Sequence, residues 1–233
     1  MNTKKLILKM SVCVLIIIIF SQTNIHAQST DTTFEKLITL RDNFINQIKA
    51  LGFKPTLPAP KIVLDNPRSF GNYDSSENIL HTTDWKTLPP EAQEVFMSLA
   101  ARQGNGETAQ DAFEKSTHQW IFIHELGHWW RACEHQKALP YDEEMAANRI
   151  ATAYWREQDS AFMNFQLGKF QNFIKRFPSP VPAGQSKRNF LNNNYDKLPG
   201  GPAYTWFQAE MIVDAYNEQP ILTFKEAIKN AGN

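Results

Sequence analysis

The chain has 233 residues with 24 basic and 24 acidic side chains, a formal net charge of zero at neutral pH, so no nucleic acid or other polyelectrolyte is expected as a partner. A content of 42% hydrophobic and 12% aromatic residues excludes a disordered chain.

The N-terminus sets Lys4, Lys5 and Lys9 before an apolar run from Val12 to Phe20 and a polar stretch ending in Ile25-His26-Ala27. This is the pattern of a signal peptide, with cleavage expected after Ala27 and a secreted or periplasmic destination. The run is roughly half the length that a spanning helix needs, so no stable membrane anchor is expected. Cys13 falls too early in it for a lipoprotein signal. Once residues 1–27 are removed, Cys133 is left without a partner for an intramolecular disulfide, and stability has to come from burial. Residues 28–233 suit one core and are expected to form a single domain.

From Thr33 to Leu51 the apolar positions fall near the helical period, and Gly52 ends the run. After Pro55, Pro58 and Pro60, the segments Lys61–Leu64, Ser69–Tyr73 and Asn78–Thr83 are predicted as a small antiparallel sheet, with Asn78–Thr83 as its edge. The pattern then turns helical over Glu91–Arg102, Gln110–His135, Asp142–Glu157, Ala161–Phe177, Tyr204–Asn217 and Phe224–Asn230. The Lys169, Lys175, Arg176, Lys187 and Arg188 cations are expected around a solvated loop. The fold class is α+β, mainly helical, with the sheet preceding the helix that carries the chemistry.

That helix contains Trp120-Ile121-Phe122-Ile123-His124-Glu125-Leu126-Gly127-His128-Trp129-Trp130. Residues four apart share a helix face about one turn from each other, so His124 and His128 can reach one metal ion. Glu125 lies roughly 100° around the axis, where it can take a proton from water at the metal and return it to a leaving group. The uncharged flanks suit a helix buried in a core.

A catalytic zinc site usually has three protein ligands and one open position. If the same helix continued, Glu134 would lie about 9 Å further along its axis and on another face. The next helix offers a better route, since Glu144, Ala147, Asn148 and Ala151 share a face. The alanines permit close approach, and Asn148 can hold the outer nitrogen of a ligand histidine. Glu144 is favoured over its neighbour Glu143 as third ligand on this ground. His81, His118 and His135 are expected to be structural.

The stretches His124–Trp130 and Glu144–Ala151 resemble the gluzincins, zinc peptidases with His-Glu-x-x-His on one helix and a glutamate ligand on a following one. An aspartate often stands four residues after that glutamate; here the position is Asn148. The resemblance implies a zincin-like fold, a peptide or protein substrate and hydrolysis by a zinc-activated water. It also implies His124, His128 and Glu144 as ligands and Glu125 as general base. Tyr204, Tyr141, Tyr195 and Arg149 are candidates for stabilising the oxyanion. A zinc hydrolase of a non-peptide bond and a non-catalytic binding protein on a zincin scaffold are the alternatives; the intact Glu125 argues against the latter.

Overall fold

The computed structural model describes residues 32–67, 69–103, 106–198 and 201–231; the predicted signal peptide lies outside them. Two compact units divide the chain, one ending at Leu40 and one spanning Arg41–Asn233. Helix α1, residues 32–50, runs through the boundary, and only its opening turns represent the first unit among the described residues.

Within the second unit three short strands follow: β1 (Lys61–Leu64), β2 (Gly71–Asp74) and β3 (Ile79–Thr82). Their order is β1-β3-β2, with β2 antiparallel and β1 parallel to β3. The sheet is therefore mixed, which corrects the antiparallel expectation. β3 is its central strand, which corrects the expectation that Asn78–Thr83 forms an edge. The reason lies in residues 65–70. Asp65 and Asn66 both donate their backbone N–H groups to the Thr82 carbonyl, carrying the end of β1 along β3. Left-handed backbone at Asn66 (φ 54°) and Phe70 (φ 65°) then takes the chain across to the far side. Between β2 and β3 an ordinary tight turn suffices, built on Asp74, whose carboxylate accepts from the Ser76 backbone at 2.8 Å.

Helices α2 (Pro90–Gln103) and α3 (Ala109–Phe113) form a hydrophobic cluster in which Phe96 and Phe113 pack edge to face, with Phe70 and Trp85 against them. Thr108 and Asp111 close a reciprocal capping box at the start of α3. The helical run predicted from Gln110 to His135 is continuous but not uniform. A π-helical stretch, Glu114–Ile121, joins α3 to α4 (Phe122–Cys133). Its wider i→i+5 bonding shifts the stripe of side chains relative to an α-helix. His118 is structural there, its Nε2 2.7 Å from the Thr83 carbonyl.

Nearly every side chain of α4 is buried. Its neighbour α5 (Pro140–Gln158) starts with proline at the first helical position and contacts α4, α6 (Ser160–Arg176), α7 (Lys187–Asn194), α8 (Pro202–Asn217) and α9 (Phe224–Ala231). Helix accounts for 67% of the described residues, and α5 is the hub of this helix-dominated α+β fold. α7 stands where the sequence suggested a loop. Ser186 caps it and Leu191 is its buried residue, so it carries little of the apolar periodicity by which helices are read.

Candidate metal centre

Gly127 and Ala147 set the distance between α4 and α5. A Cβ on Gly127 would lie 3.0 Å from the Ala147 Cα and 3.3 Å from its Cβ and carbonyl oxygen. With the helices this close, Glu144, one turn before Ala147, reaches the histidines one turn apart on α4. His124 Nε2 is 3.1 Å from Glu144 Oε2 and 3.2 Å from His128 Nε2, and His128 Nε2 is 3.8 Å from Glu144 Oε2. Three donors bound tetrahedrally at about 2.0–2.1 Å stand about 3.3 Å apart, and these separations straddle that value. His124, His128 and Glu144 thus form a group that could hold a metal ion.

A second set of side chains holds the first. His124 Nδ1 is 3.1 Å from Asn148 Oδ1, Asn148 Nδ2 donates to Gln208 Oε1 at 2.9 Å, and Gln208 Nε2 donates to Glu144 Oε2 at 2.7 Å. Tyr195 donates its phenolic proton to the other oxygen of Glu144. Asn148 and Glu144 are almost fully buried, so these bonds replace lost hydration.

Glu125 points to the side of the group, toward the sheet. Its Oε2 accepts a 2.9 Å hydrogen bond from the Tyr73 backbone N–H on β2. Gly71, two residues earlier, leaves the room: a Cβ there would meet Ile121 Cγ2 at 2.4 Å and Glu125 Cγ at 3.3 Å. A cleft of about 750 Å³ opens over this arrangement, lined by Glu125, His128, Glu144, Tyr195 and Tyr204 together with β2. β2 is the edge strand beside the group, the position that the sequence reading gave to β3.

Burial disfavours charge on both Glu144 and His128, but each offsets it for the other. Hydrogen bonds from His124 and His128 hold the Glu144 carboxyl well below its usual range. The Glu144 carboxylate, followed by Glu125 and Glu143, raises His128 to about 9 in the metal-free chain. Burial and the Glu144 charge push the Tyr195 and Tyr204 phenols up, so both remain proton donors.

The remaining candidates separate clearly. Glu143 turns away from the histidines to a bidentate pair with Arg131, at 2.6 and 2.9 Å. Glu134 caps the end of α4. Arg149 pairs with Glu218, and Tyr141 lies under the Arg188 guanidinium; neither lines the cleft. Of the four oxyanion candidates, Tyr195 and Tyr204 do. Sequence reasoning missed Gln208. Its signal was spacing: a lone amide four residues after Tyr204, and so on the same face of α8, in a largely apolar stretch. Comparison with protein-family models, with curated proteins and with solved structures gave no match for this chain.

Proposed function

We propose that this protein is an exported zinc metallopeptidase of the gluzincin type, with His124, His128 and Glu144 as ligands and Glu125 as general base. The observation that carries the reading is the convergence of two imidazoles and one carboxylate, with a second carboxylate beside them at the mouth of a cleft. Two nitrogens and one oxygen at tetrahedral spacing with one side open suit catalytic zinc. A zinc ion held by His124, His128 and Glu144 would supply Lewis acidity to a carbonyl oxygen and to a water.

The chain's own residues supply the rest. Glu125, oriented by the Tyr73 N–H, takes the proton from the attacking water and delivers it to the leaving amine. Tyr195 has its proton engaged by Glu144. Tyr204, hydrogen-bonded to Tyr195, is the phenol left to turn toward the oxygen on which negative charge develops. A peptide suits this site because β2 is a sheet edge alongside it, and an extended chain can align its backbone there. Export to the periplasm or beyond rests on the pattern of residues 1–27 alone.

Elemental analysis of the purified protein beside Glu125→Gln, each assayed on a peptide library, tests the reading. About one zinc per chain is expected in both, with cleavage reduced about 10²–10⁴-fold in the variant. Undiminished cleavage by Glu125→Gln removes the catalytic assignment. Cleavage of ester or amidase substrates without any peptide would favour the non-peptide hydrolase, and zinc binding without hydrolysis a binding protein.

A further inference from the structure

An extended chain laid along β2 meets backbone groups whose direction follows from strand pairing. In an antiparallel pair, both backbone groups of one residue face the partner strand and both groups of the next face away. Asp65 and Asn66 reach the Thr82 carbonyl from the β1 side, so Thr82 and Leu80 turn toward β1. Gly71 and Tyr73, opposite them on β2, therefore turn toward the free edge. Four groups line that edge beside the cleft, the N–H and C=O of Gly71 and those of Tyr73. Two of the four are engaged by side chains of the protein. The Tyr73 N–H donates to Glu125 Oε2 at 2.9 Å, and the Gly71 carbonyl accepts from the Ser69 hydroxyl. We propose that Ser69 is a specificity-determining residue: by engaging the Gly71 carbonyl it makes the site indifferent to the substrate N–H that would face it, so that proline is admitted at that one position.

Ser69 itself lines the cleft, so its hydroxyl covers Gly71 on the side from which a substrate N–H would arrive. Left-handed backbone at Phe70 (φ 65°) bends the chain between the two residues. At Tyr73 a substrate carbonyl would compete with the Glu125 carboxylate for the N–H. A bond to a carboxylate is roughly twice as strong as one to a neutral oxygen, so Glu125 keeps it. What remains for a substrate is one donor, the Gly71 N–H, and one acceptor, the Tyr73 carbonyl. A peptide is thus held by one carbonyl and one N–H of its own, and the N–H that would face the Gly71 carbonyl adds nothing. Proline carries a carbonyl and no N–H, and sheets tolerate it at their edges. An uncovered Gly71 carbonyl would instead favour chains with an N–H there. The inference rests on the metallopeptidase reading and adds to it a substrate class, peptides with an imino residue in the stretch that lies on β2.

The test is a cycle between protein and substrate. An acetylated, amidated hexapeptide cleaved in the library assay is prepared as the parent, with each backbone N–H methylated in turn, and with proline at each position. KM and kcat are measured for the full chain unmodified and as Ser69→Ala and Ser69→Thr. Ser69→Ala uncovers the Gly71 carbonyl, so KM for the parent is expected to fall about 2–10-fold, the net worth of one hydrogen bond, with the change in KM rather than in kcat. This fall is expected to vanish for the peptide methylated at one position and to persist for all others. Proline at that same position is expected to leave KM of the unmodified protein near that of the parent. Ser69→Thr keeps the hydroxyl and is expected to match the unmodified protein, whereas a general change in packing would shift KM for every peptide alike. An unchanged KM for the parent in Ser69→Ala, or a fall shared by the whole methylated series, overturns the role of Ser69 and leaves the peptidase reading intact. If the unmodified protein cleaves no peptide, the metallopeptidase reading itself fails and this inference falls with it.

Discussion

Adjacent residues on α5 take up opposite tasks. Glu144 turns inward to the histidines, while Glu143 accepts two hydrogen bonds from Arg131 and a third from the Ala138 backbone N–H at 2.6 Å. The Arg131 side chain is only 9% exposed, so its guanidinium depends on those partners. Glu143→Ala is expected to destabilise the protein by about 3–5 kcal/mol, because it removes one member of a largely buried pair and leaves the other's charge uncompensated. Urea unfolding measures this. Glu144→Ala is expected to abolish high-affinity metal binding instead, and chelator competition separates the two phenotypes. The choice between these glutamates is legible in the sequence, because Asn148 lies one turn beyond Glu144 and not beyond Glu143. What could not be read was the partner of Glu143: Arg131 lies on another helix, and linear spacing says nothing about which cation a carboxylate meets across a helix pair.

Between elements, the contact that matters most is the one with the least side chain in it. Because the atoms facing Gly127 are backbone and Cβ of Ala147, at 3.0–3.3 Å from a Cβ built there, a methyl group requires α4 and α5 to give way by a few tenths of an ångström. Gly127→Ala is therefore expected to cost about 1–3 kcal/mol of stability, as overpacking does. It should also weaken metal binding, since Glu144 retreats from the histidines with its helix. A lowered melting temperature together with a raised zinc dissociation constant is the expected pair of results, and a loss of stability with unchanged zinc affinity would show that the helix spacing does not govern the site. Ala147 and Ala151 announced this close approach in the sequence by their shared face with Glu144. The strands were found near their true positions, but period-two alternation has no direction, so it could not distinguish a parallel neighbour from an antiparallel one. Helix α7, Lys-Arg-Asn-Phe-Leu-Asn-Asn-Asn, escaped for a related reason, as polar residues on most of its surface leave almost no stripe to detect. Gln208 escaped because its hydrogen bonds with Asn148 and Glu144 exist only once α8 lies against α5.

For the molecule as a whole, the coupled titration of the centre predicts how stability varies with pH. His128 is raised from 6.5 to about 9 in the metal-free fold, so its contribution is complete below about pH 6.5 and is lost as pH rises through 9. Glu144 is held below its ordinary 4.5, so its contribution is present above that value and lost as pH falls through its depressed folded value. The metal-free melting temperature is therefore expected to fall from pH 6.5 to 9. Zinc requires deprotonated imidazoles, so the increment it adds is expected to grow over the same interval. Calorimetry of metal-free and zinc-loaded samples across that range checks both trends; parallel curves would contradict them.

The back of α4 is fastened to α9. Trp130 Nε1 donates to the Ile228 carbonyl at 2.9 Å and Arg131 Nη1 to the Ala231 carbonyl at 2.9 Å, across 98 and 100 positions of sequence. Polypeptides are made from the N-terminus, so a growing chain possesses its paired histidines long before it possesses the residues that brace them. On the metallopeptidase reading proposed above, a partly made chain therefore carries its histidines without the α9 brace that the Trp130 and Arg131 bonds supply.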